Sequence, residues 1–180
     1  MQRRQPLPRL WLMTDERQGE ALWTALERLP RGAGIVFRHY SLPAKERQHV
    51  FARVRAIARK KRLLLLAAGS PLPGADGVHG ARGRGLRSAS AHNLAELKAA
   101  EREGAHLVFV SPVFPTRSHP GARTLGRIRF GMIARQAKVP VVALGGVDAR
   151  TGTSLGALGA YGWGGIDAFA PDQKRKAVPI

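Results

Sequence analysis

Two rhythms of apolar residues alternate along this chain. Short unbroken runs at 10–14 (LWLMT), 34–38 (GIVFR), 63–68 (LLLLAA), 106–110 (HLVFV) and 140–144 (PVVAL) are the pattern of strands covered on both faces. A shorter run at 76–79 (DGVH) and a glycine-diluted one at 161–167 extend the series. Between the runs the spacing becomes helical. Leu22, Leu26 and Leu29 predict a helix over 19–29. Val50, Phe51, Val54, Ile57 and Ala58 predict one over 43–61 that opens on Pro43. Asn93 with Glu96 predicts a capped start for a helix ending near Gly104. Residues 125–137 form another, and 149–158 a weaker one diluted by Gly152 and Gly156. The Gly- and Arg-rich residues 80–87 and the proline-rich 111–121 read as loops.

Strands alternating with helices imply a parallel sheet joined by βαβ crossovers, and seven or eight strands fit. An open doubly wound sheet would share this pattern, but no G-x-G-x-x-G follows the first strand. A closed (β/α)8 TIM barrel is short at 180 residues, since roughly 200 is the usual lower limit. Thin loops and a reduced or missing final helix are expected to account for the difference. Residues 1–170 then form one domain, and 171–180, with Lys174, Arg175 and Lys176, a flexible basic tail.

Composition narrows the classes. With no cysteine there is no disulfide framework, thiolate metal site or cysteine nucleophile. The longest apolar runs fall far short of the roughly 18 residues a membrane span needs. Only residues 10–13 follow the basic N-terminus before Thr14 and Asp15, too few for the core of a signal peptide. The expectation is a cytoplasmic protein. A net charge of +18 favours anionic partners in general: nucleic acid, acidic membranes or phosphorylated metabolites. Most of it reads as solvated surface. The Lys45–Arg62 stripe is the one candidate for nucleic acid, and no RNA-binding aromatic motif or zinc-finger spacing accompanies it. Nucleic acid is therefore an unfavoured partner, and a homo-oligomer is left open.

Several segments, in order, carry a resemblance: LWLMTD (10–15), GADGVH (74–79), SAHNLAEL (90–97), VSPVFPTRSHPG (110–121) and PVVALGGV (140–147). Together they resemble the thiamine-phosphate synthase and TenI family over most of the chain. The resemblance implies a (β/α)8 barrel with its site at the C-terminal ends of the strands. It further implies a reaction that joins a hydroxymethylpyrimidine diphosphate to a thiazole phosphate and releases pyrophosphate. Small phosphorylated substrates are the implied partners.

Carried over residue by residue, the resemblance implies a phosphate cradle at Gly145 and Gly146, with Gly164 and Gly165 after the last strand closing its other side. Thr116 stands as in the family's PVFPT-T-K run, Ser118 replaces its second Thr, and His119 stands where the family has a pyrophosphate-binding Lys. Arg38 matches the Arg of Q-L-R-x-K, with Val36 and Tyr40 in place of its Gln and Lys. Ser90 and His92 match S-x-H, and Ser90 is implied to contact the pyrimidine. Arg38, Ser90 and His119 are thus the implied catalytic set.

Magnesium is where the pattern departs. The family's Asn-Asp reads Ala67–Ala68 here, and its Gln-x-Asp reads Arg82, Gly83, Arg84. Mg2+ requires oxygen ligands, which none of these side chains offers, so no metal-binding residue is expected. Two expectations follow. Either metal-dependent coupling has been lost and a phosphorylated precursor is only bound, or Arg38, Arg82 and Arg84 converge at the mouth and take over the cation's role. Thiazole tautomerisation of the TenI kind is less supported, because Pro112 stands at the His of its GHVF segment.

Overall fold

The computed structural model describes residues 6–116, 121 and 123–169. Eight parallel strands close into a barrel in sequence order: β1 (Leu10–Met13), β2 (Gly34–Phe37), β3 (Leu64–Ala68), β4 (Gly77–His79), β5 (Leu86–Ala91), β6 (Leu107–Val110), β7 (Val141–Ala143) and β8 (Gly162–Gly165). β1 closes the ring by pairing with both β2 (Trp11 opposite Gly34) and β8 (Leu12 opposite Gly165). Helices α1 (Ala21–Arg28), α2 (Ala44–Lys61), α3 (Leu94–Arg102), α4 (Gly126–Ala134) and α5 (Ala149–Leu155) lie between strands.

The period-two alternation of each strand divides the core in two. Trp11, Met13, Val36, Leu66, Phe109, Val142 and Leu144 fill the barrel interior. Trp11 meets Phe109 edge-on at 5.3 Å, and the absent side chain of Gly34 leaves room for the indole. Outward residues form a shell against the helices. Leu12, Ile35, Phe37 and Leu65 pack on α1 and α2, where Leu22, Leu26, Phe51 and Val54 turn inward. Val108, Val110, Val141 and Ala143 pack on the later helices through Leu97, Phe130 and Leu155. Asn93 caps α3 as its spacing predicts, accepting from the Glu96 amide at 2.9 Å, while the Glu96 carboxylate reaches back to the His92 amide at 2.8 Å.

One expectation is corrected. The stretch read as a loop over 80–87 contains the start of β5, so the strand that escapes the hydrophobic pattern is LRSASA. Its inward positions are Leu86, Ser88 and Ser90, and the two serines, facing His79 of β4, are polar where most other strands are apolar. Among the described residues, shortening also lies in the connections before and after β4. Residues 69–76 and 80–85 join β3 to β4 and β4 to β5 without a helix. A parallel crossover normally takes a dozen residues or more. Here β4 is only three residues long, so the return path is correspondingly short. The second connection folds back across the outer face of β4: a Cβ on Gly83 would lie 2.7 Å from Val78, which is buried. The expected terminal tail lies outside the described residues.

Candidate active site at the barrel mouth

The C-terminal ends of the strands surround a cleft of about 610 Å3. Its wall after β7 is built by glycine. Gly145 (φ +86°) and Gly146 (φ +63°) occupy the left-handed region, and both sit against the 112–115 segment. A Cβ on Gly145 would stand 2.7 Å from Pro112, and one on Gly146 would stand 2.4 Å from the Pro115 carbonyl. No side chain fits at either position. The amides of Val113 and Phe114 donate to the carbonyls of Leu144 and Gly145, at 2.8 and 3.0 Å, and zip the two loops together. Asp148 then caps α5 through the Thr151 amide at 2.8 Å, and that hydrogen bond holds its carboxyl below the usual carboxylate range.

Arg38 enters from the opposite wall, directly after β2. Its amide donates to Thr14 Oγ1 at 2.9 Å, and the same hydroxyl lies 3.0 Å from His39 Nδ1. The guanidinium approaches Asp15 Oδ2 only to 3.9 Å. Asp15 is committed elsewhere: Arg17 Nε donates to Oδ1 at 2.7 Å. Burial pushes Asp15 up, but the Arg17 hydrogen bonds and the charges of Arg17 and Arg38 outweigh it and leave its pKa lowered. Arg38 therefore keeps most of its hydrogen-bonding capacity for the cleft.

Beneath the mouth lies a polar chain within an otherwise apolar barrel. His79 Nδ1 is 2.9 Å from Ser88 Oγ, and its Nε2 is 3.2 Å from Ser90 Oγ. The ring packs edge-on against Phe109. Burial, with a smaller push from the Arg38 charge, lowers the His79 pKa to about 4, so the imidazole is neutral near pH 7. Ser90 remains exposed at the end of β5. One residue past β5, His92 also lines the cleft, its Nδ1 2.8 Å from the Ser111 carbonyl.

Comparison with known proteins decides what this barrel is related to. Residues 85–169 match the family model described as thiamine monophosphate synthase. A protein of Aquifex aeolicus with the provisional name thiamine-phosphate synthase 2 is 33% identical over 182 aligned residues, covering 91% of this chain and 98% of that protein. The thiamine-phosphate synthase of Methylococcus capsulatus is 29% identical, covering 84% of this chain and 78% of that one. The solved thiamine phosphate pyrophosphorylase of Pyrococcus furiosus superposes with a TM-score of 0.77 at 28% identity, covering 95% and 91% of the two chains. The chain belongs to the thiamine-phosphate synthase family.

Against the family's pattern, the mouth brings together Arg38, Thr116, Gly145, Gly146 and Gly165, all on the cleft wall, with Ser90 at the end of β5. Gly164 is placed differently. It lies within β8 instead of after it, facing the barrel, and a Cβ there would stand 3.0 Å from that of Trp11. A side chain there would collide with the backbone and Cβ of Trp11 on the neighbouring strand. Arg82 and Arg84 are exposed on the 80–85 connection and are not among the cleft-lining residues. Ser118 and His119 lie outside the described residues. Val36 is buried in the barrel interior, whereas Tyr40 is exposed with its ring over Gly69.

The positions that would bind Mg2+ in the family do not fit the ion. Ala67 and Ala68 are fully buried methyl groups, and the Ala68 carbonyl accepts from Arg47 Nη2 at 2.7 Å. Arg47 Nε also donates to the His39 carbonyl at 3.0 Å, so one guanidinium ties the ends of β2 and β3. Among the described residues no three His, Asp or Glu side chains are grouped to hold a metal. No described helix is long and apolar enough to cross a membrane.

Sequence reasoning gave no part to His79 or Ser88 and placed His92 only through its match to S-x-H. His79 stood in the quoted GADGVH segment, but its partners become visible only once LRSASA is recognised as the neighbouring strand, with His79 in register with Ser88.

Proposed function

We propose that this protein joins a hydroxymethylpyrimidine diphosphate to a thiazole phosphate, releasing pyrophosphate, in the cytoplasm where such charged substrates are retained. The thiazole ring nitrogen supplies the electron pair for the new bond to the pyrimidine's methylene carbon. The carbon–oxygen bond to the diphosphate breaks, and its electrons leave on the diphosphate oxygen. Such a reaction needs little covalent chemistry from the protein. It needs orientation and stabilisation of the charge that develops on the leaving group.

One observation carries the reading: the paired left-handed glycines at 145 and 146, closed against the 112–115 segment in a cleft shared with Arg38. A backbone wall free of side chains suits the thiazole phosphate, and Arg38 opposite it suits the diphosphate. The exposed Ser90 hydroxyl, held by neutral His79 beneath it, offers the pyrimidine a hydrogen bond. Because the metal-binding carboxylates are replaced, the cationic contribution comes from this chain's own side chains.

The test is product formation from the two substrates, measured with excess Mg2+ and with EDTA. Product is expected in both, with rates within about a few-fold of each other. Full loss on chelation would overturn the metal-independent part of the reading. A second reading rests on Ala67 and Ala68: a barrel that binds a phosphorylated precursor without turnover. Tight binding of both substrates with no product under either condition selects it.

A further inference from the structure

The cleft presents a second titratable group beside Arg38 that the family pattern leaves without a role. His92 follows β5 directly, at the mouth, and is held from two directions. Its amide donates to Glu96 Oε2 at 2.8 Å, which ties the backbone into the α3 cap. Its Nδ1 lies 2.8 Å from the carbonyl oxygen of Ser111. A carbonyl only accepts, so Nδ1 carries the hydrogen and donates it. The neutral tautomer is thereby set, leaving Nε2 as the second ring nitrogen of a residue that lines both the cleft and the adjoining groove. A histidine with one nitrogen anchored to a carbonyl at the edge of a reaction site has the form of a proton donor held in place.

The electrostatics give that donor a task. The charged groups that share its surroundings are Glu96 of α3, which accepts from its amide, Arg38, Asp148 and Asp167 on the cleft wall, and Arg123 and Arg129 on the adjoining groove. Among the described cleft-lining residues, Arg38 is the one permanent cation, against the carboxylates of Asp148 and Asp167. A departing diphosphate concentrates more negative charge than one guanidinium matches, and Ala67 and Ala68 bring no metal.

We propose that His92 is a catalytic residue, the general acid for the departing diphosphate. Its protonated Nε2 donates to the oxygen that separates from the pyrimidine's methylene carbon. As the carbon–oxygen bond breaks, the electron pair stays with that oxygen and the proton passes to the diphosphate. The neutral imidazole, kept in its tautomer by Ser111, recovers a proton from water after release. This rests on the synthase reading above, and the first measurement below does not depend on that reading.

Inorganic pyrophosphate binding is followed by calorimetry at pH 8 in two buffers of different ionisation enthalpy. The wild-type protein is expected to take up a proton on binding. His92→Asn, whose amide replaces Nδ1 at the Ser111 carbonyl but carries nothing at Nε2, is expected to bind without that uptake. Equal uptake in both proteins overturns the assignment, whether or not product is ever made.

Turnover supplies the second arm. His92→Asn is expected to lower kcat about 100-fold with the KM for thiazole phosphate unchanged, whereas His92→Gln, reaching the Nε2 position with a neutral donor, recovers part of the loss. Diphosphate analogues with a difluoromethylene or a methylene bridge give a more and a less acidic leaving group. The variant is expected to discriminate between them more steeply than the wild type does. Identical leaving-group dependence in both proteins also overturns the assignment. Matching melting temperatures confirm that each variant is folded. Absence of product from the wild type counts against the synthase reading and leaves the proton-uptake result to decide His92.

Discussion

His79 is a titratable side chain buried within the barrel. It is sealed in the barrel between Ser88, Ser90 and Phe109, and burial lowers its pKa to about 4 from an ordinary value of 6.5. The sign of the consequence is fixed. Between those two pH values the unfolded chain binds a proton at this site and the native protein does not. Stability is complete above pH 6.5 and is lost as the pH falls toward 4. The shift corresponds to a loss on the order of 3 kcal/mol. Buried His39, also lowered by burial, adds a smaller loss of the same sign. Urea unfolding measured from pH 8 to pH 4 is expected to show a midpoint that falls through this window. In His79→Gln the fall is expected to shrink to the contributions of His39 and, near pH 4, of the lowered carboxyls Asp15, Glu101 and Asp148. A slope unchanged by the substitution would mean that His79 is charged or solvated in the native barrel.

The connection between β4 and β5 shows how an element can be removed from a barrel and the ring still close. Its return path depends on Gly85, which holds φ +80°, where a Cβ would lie 2.1 Å from the Asp76 carbonyl oxygen. Gly80 at the other end holds φ +65° with nothing within 4 Å of its Cβ position. Gly80→Ala meets only conformational strain and is expected to cost about 1–2 kcal/mol. Gly85→Ala meets the same strain and a backbone collision, and is expected to cost about 3–5 kcal/mol in denaturant unfolding. Similar losses at both positions would show that the loop yields freely and does not position β5.

This element is also where the sequence was hardest to read. Strands such as VVA and LLLAA announce themselves because both faces are buried among apolar groups. LRSASA hides because its inward face carries the serines that partner His79. A polar face toward the barrel is legible only from the neighbouring strand, and periodicity does not show which strands are neighbours. The same limit governs the site. Arg38 and the Gly145–Gly146 turn lie at strand ends within recognisable segments and were readable in advance. The Ser111–His92 and His79–Ser90 contacts join separate strands, and no local pattern encodes them. Gly164 lies within β8, where a side chain would meet the backbone of Trp11, and in sequence such a glycine looks like one that admits a phosphate.

At the scale of the whole molecule, the net charge of +18 is distributed less freely than the composition implies. Much of the α2 stripe is tied into the barrel's own surface. Arg53 stacks on Trp23 at 3.6 Å, Arg55 donates to the Pro73 carbonyl at 3.0 Å, Lys61 reaches the Glu27 carbonyl, and Arg47 bridges β2 and β3. These contacts reduce the cations available to a polyanion along the helix, while the cleft retains Arg38. The remaining surplus repels itself across the surface, so salt is expected to stabilise the fold by screening. A specific anion site adds a separate effect that screening does not mimic. Pyrophosphate at about 100 times its dissociation constant contributes about 2.7 kcal/mol to the native state, which raises the melting temperature by about 5–10 °C for a chain of this size. Sodium chloride at matched ionic strength is expected to give a smaller rise. Arg38→Ala is expected to keep the chloride response and lose the excess produced by pyrophosphate. If the excess survives that substitution, the anion is held by diffuse surface charge, and the mouth of the barrel is not where this protein gathers its phosphates.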